Sequence, residues 1–219
     1  MLTAHPSEAS VSLTSLNSSV WGAYALGKDP RQEISSKNTS RKQEARCFSF
    51  AVKVGYISKG TKVFDLGCGH DNSLNRAIVE KAGGLYACCD LYNIDVETNL
   101  ASIESALSEG VDLVIISNVL NVIKEEEVRR TLLLQAKELL GDSGALLLSV
   151  YEGVPLASEK KLGLKASGIL APTVTKDGWQ NRMKTTEYLP EVQAEFPNAA
   201  LIFGRSKSDP YIAALVSTQ

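Results

Sequence analysis

Three observations predict an α/β fold built on a mostly parallel sheet. From Lys62 to Tyr151, short apolar runs alternate with longer amphipathic stretches, the pattern of repeated strand–helix–strand crossovers. The run Asp112 to Ser117 is almost continuously apolar, as a strand covered on both faces requires. Two last strand-like runs, Ala200 to Gly204 and Tyr211 to Ser217, are joined by a short polar turn and therefore pair antiparallel.

The elements follow in order. Residues 1–20 are polar, rich in Ser and Thr, and read as a flexible arm. Residues 21–60 form a helical extension: Lys28 to Lys42 is a loop, with Pro30 and Ser/Asn clusters, and Ser40 to Ile57 has helical spacing of Ala45, Phe48, Ala51, Val52 and Tyr56. The main domain is expected over 61–219. Its strands are Lys62 to Asp65, Leu85 to Cys89, Asp112 to Ser117 and Ala145 to Tyr151. Its helices are Ser73 to Lys81, closed by Gly83-Gly84, then Glu97 to Leu107, then Lys124 to Leu140. The last of these has acids in its first turn and Gly141 beyond its end, matching dipole and cap preferences. Glu152 to Arg182 reads as irregular, and Thr185 to Phe196 as a helix kinked or begun near Pro190.

Composition narrows the classes. At 219 residues the chain fits one substantial core, and a net charge of −2 argues against coating nucleic acid through bulk charge. No apolar run approaches the roughly 20 residues that span a bilayer. The N-terminus lacks a charged-then-apolar signal pattern, and Cys47, Cys68, Cys88 and Cys89 have no metal-ligand spacing. Reduced core thiols and a cytoplasmic protein without a metal site are the expectation.

Chemistry concentrates where strands end. Asp65-Leu66-Gly67-Cys68-Gly69 closes the first strand and opens onto a helix, where bare glycine backbone admits a ligand and the helix start offers N–H groups. Asp90 ends the second strand, a position suited to a ribose diol. The third strand ends in Ser117-Asn118-Val119-Leu120-Asn121. A parallel sheet brings all three to one edge, where open α/β folds bind ligands.

These strings resemble the class I S-adenosylmethionine-dependent methyltransferases. "VFDLGCG" is similar to that family's first motif, Asp90 in "ACCDLY" to its ribose-binding acid, and "DLVIISNVLNVI" to the segment fronting the methyl group. The resemblance implies a three-layer α/β/α Rossmann-like methyltransferase fold with S-adenosylmethionine as cofactor. It implies cofactor contacts from Asp65 (near the ammonium), Gly67, Cys68, Gly69, Asp90, Leu91, Ser117 and Asn118. The family's third strand, which carries an adenine-contacting acid or amide, has no counterpart between Asp90 and Asp112. More narrowly, "DLGCGH" with "NVLNVI" is similar to phage-borne methyltransferases and to a group encoded beside DNA phosphorothioation genes.

The acceptor is less legible. Asn118, Tyr151 and Glu152 lie at two neighbouring strand ends and are the candidates for catalysis. Asn121 reads as a cap for the following helix, and His70 as a helix-start hydrogen-bonding group. Neither an N-P-P-Y tetrapeptide nor a Pro-Cys nucleophile is present. The expected enzyme methylates an O or N nucleophile of a small molecule or, alternatively, a nucleic-acid group. Arg31, Lys37, Arg41, Lys42 and Arg46 are a solvated face or a phosphate-contacting arm. A second reading is a regulatory or structural protein that binds the cofactor without catalysis.

Overall fold

A computed structural model describes residues 20–21, 33–34, 36, 45–153, 155–163, 170–175, 178–204 and 210–217. The expected arm at 1–19 and the basic residues Arg31, Lys37, Arg41 and Lys42 lie outside these. In chain order the elements are α1 (Arg46–Lys53), β1 (Lys62–Leu66), α2 (Ser73–Lys81), β2 (Leu85–Cys89), α3 (Val96–Glu109) and β3 (Leu113–Ser117). A 3₁₀ turn (Leu120–Val122) follows, then α4 (Glu126–Leu140), β4 (Ser143–Ser149), α5 (Ala157–Lys161), β5 (Thr173–Thr175) and β6 (Gly178–Gln180). The chain finishes with α6 (Thr185–Glu195), β7 (Ala200–Phe203) and β8 (Pro210–Ser217).

The main sheet has six strands in the order β2-β1-β3-β4-β8-β7. β2, β1, β3 and β4 are parallel, while β8 runs antiparallel to both β4 and β7. Alternation within each strand divides the core. Val114 and Ile116 of β3 join Ile103 of α3, Leu133 of α4 and Val192 of α6 on one face. Leu113 and Ile115 join Phe48 of α1 and Val79 of α2 on the other. All four β3 residues from Leu113 to Ile116 are buried, which explains the uninterrupted apolar run. The result is a three-layer α/β/α arrangement. Among the described residues no helix is long and apolar enough to cross a membrane.

Several boundaries differ from expectation for local reasons. Glu33, Ile34 and Ser36, expected in a loop, have helical backbone. The first full helix starts at Arg46 and ends at Lys53, because Gly55 takes φ 85° and turns the chain. β4 stops at Ser149, so Tyr151 stands beyond the strand. The stretch after it, expected to be irregular, contains α5 and a β5–β6 hairpin. α6 runs through Pro190 without ending, held by Tyr188 and Val192, both 0% exposed.

The contact between α4 and α6 is ionic as well as apolar. Arg129 donates two hydrogen bonds of 2.8 Å to the Glu191 carboxylate and two more to the carbonyls of Ile123 and Lys124. All of these sit where Arg129 is 6% exposed. Removing a buried partner costs more than the pair contributes, because the remaining charge loses its compensation. Arg129→Met should therefore lower unfolding stability by about 2–4 kcal/mol in urea titrations. Glu191→Gln should cost less, since Arg129 retains both carbonyls.

Candidate functional site

The parallel strands bring Gly67 to Gly69, Asp90, Leu91, Ser117 and Asn118 to one edge of the sheet, as the spacing predicts. The glycine turn is fastened to the end of β2. Gly67 N and Cys68 N both donate to the Cys89 carbonyl, at 2.9 and 3.2 Å. Gly69 N donates to Asp90 Oδ2 at 2.8 Å. These three N–H groups are satisfied internally, so they are not free donors for a ligand. Gly67 has φ 84°, and a Cβ there would lie 2.6 Å from Val119 Cγ2. Its glycine is thus required by the segment after β3 packing on the turn.

Asp90 is 5% exposed. Its other oxygen accepts from Tyr92 N, Asn93 N and Asn93 Nδ2, at 2.8 to 2.9 Å. Asn99 of α3 completes the node by accepting from Asp90 N and donating to Asp90 O, both at 2.9 Å. Asn93 Nδ2 also reaches Ser36 Oγ at 2.6 Å, so the N-terminal extension touches the same loop. Between Asp90 and Leu113 the chain makes one helix and no strand, leaving this loop where the family pattern has its third strand.

Asp65 lies within β1, at the root of the turn. It is 1% exposed, and its Oδ2 accepts from Tyr86 Oη at 2.8 Å and Asn75 Nδ2 at 3.2 Å. Asn75 Oδ1 in turn accepts from Ala45 N at 3.0 Å, linking the turn's root to the start of α1. Burial pushes the Asp65 carboxyl up to about 7, against the lowering effect of both donors.

At the other end of the edge, Asn118 is exposed and takes φ 58°, with its N–H donating to the Ser149 carbonyl at 2.9 Å. Ser117 Oγ and Ser149 Oγ are 3.2 Å apart. Tyr151 is 46% exposed. Glu152 is occupied: Oε1 accepts from Thr185 N and Thr185 Oγ1, both at 2.8 Å, and Lys184 Nζ stands 3.5 Å from Oε2. It caps α6, where a negative charge meets the positive helix end.

The β5–β6 hairpin lies beside these strand ends. Asn181 N donates to the Asn121 carbonyl and Asn181 Nδ2 to the Ile123 carbonyl at 2.6 and 2.8 Å. Gln180 Nε2 reaches the Tyr151 carbonyl, and Lys124 Nζ stacks 5.3 Å from the Trp179 ring centre. Arg182 fixes the hairpin to α5 through a bidentate pair with Glu159 at 2.6 and 2.7 Å, which holds the Glu159 carboxyl down at about 2. Gly153 leaves the room that Arg182 crosses, since a Cβ there would meet Arg182 Cγ at 2.5 Å. Asn121 is buried in the 3₁₀ turn, and the cap of α4 is Glu125, so the capping role expected of Asn121 does not hold.

Sequence reasoning missed Asn75, Asn99, Asn181 and Arg182. The first two had a signal: each begins a buried helix row, Asn75–Val79 and Asn99–Ile103–Ala106, where an amide must have a polar partner.

Two consequences can be measured. The native Asp65 binds its proton up to about pH 7, whereas the unfolded carboxyl releases it near 3.8. The unfolded state thus holds fewer protons within that window, and stability falls as pH rises through it, by up to about 1.4 kcal/mol per unit. Urea midpoints of wild type should show this slope and those of Asp65→Asn should lack it. Gly67→Ala should destabilise by about 2–4 kcal/mol, and in a Val119→Ala background the cost should shrink toward the backbone term of about 1–2 kcal/mol.

No protein-family model matches this chain, and no curated protein matches it by sequence. Solved structures do match. A candidate O-methyltransferase from Nostoc punctiforme shares 13% identity at a TM-score of 0.51, over 84% of this chain and 60% of that one. Phosphoethanolamine N-methyltransferase 2 from Haemonchus contortus, in complex with S-adenosyl-L-methionine, shares 13% identity at 0.51, over 96% of this chain and 61% of that one. The chain spans about three fifths of the length of each. Its three-layer sheet, with the last strand reversed, is a class I methyltransferase-like fold.

Proposed function

We propose that the chain is an S-adenosylmethionine-dependent methyltransferase acting on an O or N nucleophile. The observation that carries this reading is the convergence of the glycine turn, Asp90 and Asn118 on one strand edge of a methyltransferase-like fold. Asp90 Oδ2 has one internal partner, Gly69 N, and so retains acceptor capacity for a ribose hydroxyl. Gly67, Cys68, Gly69, Leu91 and Ser117 line the same edge. Asp65 holds the turn from below instead of touching the ligand.

The bound cofactor supplies an electrophilic methyl group on a sulfonium. The chain's own task is then alignment and exclusion of water. Exposed Asn118, fixed by its bond to Ser149, is the group placed to accept a hydrogen bond from the acceptor nucleophile. Tyr151 flanks the same opening, and the anchored hairpin with Trp179 walls it. Glu152 orders α6, which removes it as a free general base. That occupied carboxylate is also what favours the second reading, a cofactor-binding protein without catalysis. The acceptor class follows the fold and the chain's modest net charge toward a small molecule. The strings "DLGCGH" and "NVLNVI" keep a nucleic-acid group as the alternative.

Calorimetric titration tests the cofactor first: S-adenosylhomocysteine should bind, and absence of binding at millimolar ligand defeats both readings. Asp90→Asn sets an NH2 group against Gly69 N and removes the free acceptor capacity of Oδ2, and should weaken binding by about tenfold or more, at least about 1.4 kcal/mol. An unchanged affinity removes the ribose assignment. Transfer of labelled methyl to cell extract, with and without nuclease, then separates enzyme from binder and small molecule from nucleic acid. Asn118→Ala should lower transfer about 10- to 100-fold with cofactor affinity retained.

A further inference from the structure

Two thiols meet at the root of the glycine turn. β1 and β2 run side by side with Leu66 opposite Cys89, so the chain leaving β1 carries Cys68 back over the end of β2. Cys68 N bonds the Cys89 carbonyl there. A single amide, Asn72 Nδ2, donates to both sulfurs, at 3.1 Å to Cys88 and 3.6 Å to Cys68. Each of the two residues is 9% exposed, whereas Cys47 and Cys89 are 1% exposed.

The pair is chemically unequal. Cys88 Sγ takes the shorter amide contact, 3.1 Å against 3.6 Å, and a donor held there favours the charged sulfur. Its thiol is lowered in the same sense, by the neighbouring Cys68 first and then by Tyr86 and Arg76, against burial and the Asp65 charge. The Cys68 thiol instead donates to the Gly69 carbonyl at 3.7 Å and is pushed up. Cys88 is therefore the attacking sulfur and Cys68 the resolving one. Both sulfurs lie within 3.6 Å of one amide nitrogen, so closure joins two groups that already share a neighbour.

We propose that Cys68 and Cys88 form a peroxide-reactive dithiol site that closes to a disulfide across the base of the turn. Hydrogen peroxide is the oxidant. The Cys88 thiolate attacks one peroxide oxygen, the O–O bond breaks, and hydroxide leaves to become water, giving a sulfenic acid on Cys88. The Cys68 sulfur then displaces the sulfenic hydroxyl, forming S–S and breaking S–O, and its proton leaves with that hydroxyl as water. Two thiols are oxidised to one disulfide and one peroxide is reduced to two waters. Closure takes Cys68 away from the Gly69 carbonyl, which its thiol approaches at 3.7 Å, and so re-forms the Gly67–Gly69 backbone. The effect on cofactor affinity rests on the methyl-donor reading above; the disulfide itself does not.

The full chain is treated with hydrogen peroxide, blocked with iodoacetamide, and mapped by trypsin without reduction. Arg76 and Lys81 lie between the two cysteines, so their peptides separate unless linked. The expected product is a Cys68–Cys88 link, lighter by two hydrogens and reversed by dithiothreitol, with fragmentation assigning Cys88 over Cys89. Cys68→Ser should instead leave a sulfenic acid on Cys88 that dimedone traps. Links through Cys47 or Cys89, or a Cys88 left as free thiol under peroxide that oxidises glutathione, overturn the site. In a parallel titration, the oxidised chain should bind S-adenosylhomocysteine about fivefold more weakly than the reduced one. Equal affinities overturn the coupling, while failure of the reduced chain to bind overturns the cofactor reading and leaves the dithiol result standing.

Discussion

The carboxylate of Asp90 is held by four donors from two segments, and the geometry of the donor side follows from it. Gly69 N on one oxygen fixes the turn after β1, while Tyr92 N and the two nitrogens of Asn93 on the other fold the loop after β2. Asn99 then locks the Asp90 backbone to α3. Backbone N–H groups and an amide thus satisfy both oxygens of an acid that is only 5% exposed. On the proposed ribose assignment, a hydroxyl arriving at Asp90 Oδ2 joins a network that already sets the shape of the turn, which leaves little reorganisation to occur on binding.

Beneath that network lies a second buried acid with the opposite character. Asp65 has only two side-chain donors and no backbone N–H, and burial prevails, raising its carboxyl toward neutrality. The two acids lie on neighbouring strands and differ in what surrounds them. Asp90 is at the strand end, where loop N–H groups converge, and Asp65 is inside the strand, where the sheet consumes them. Position along a strand thus decides which acid is available to a ligand and which supports the fold.

The same logic explains what was legible beforehand. β2 and α2 came out with their expected limits because a helix-length and a strand-length apolar pattern and the Gly83-Gly84 stop between them agree locally. The antiparallel pairing of β7 with β8 was readable from the short connection between them. The glycine turn, Asp90 and Asn118 were legible because strand ends in a parallel sheet are predictable from order alone. What stayed hidden depends on contacts far apart in sequence. Glu152 looked like a free acid at a strand end until Thr185 and Lys184 were brought to it across the 152–185 excursion. Asp65 looked like a ligand group, because nothing in its own string shows Tyr86 and Asn75 closing over it. The hairpin was read as irregular because β5 and β6 are three residues each, too short for alternation to register.

The segment between β4 and α6 is held on a different principle: its described residues are fastened at points. These are Arg182 on Glu159 and the Ala171 carbonyl, Asn181 on the 3₁₀ turn, and Glu152 on the start of α6. Arg182 ties the hairpin to α5 within this segment, while Asn181 and Glu152 tie the segment to the 3₁₀ turn and to the start of α6. The turn residues 67–69, by contrast, are constrained by Val119, Cys89 and Asp90 together. Under the proposed methyltransferase reading, the side chains that select the acceptor are therefore to be sought in the 151–182 segment, with Asn118 standing between it and the glycine turn.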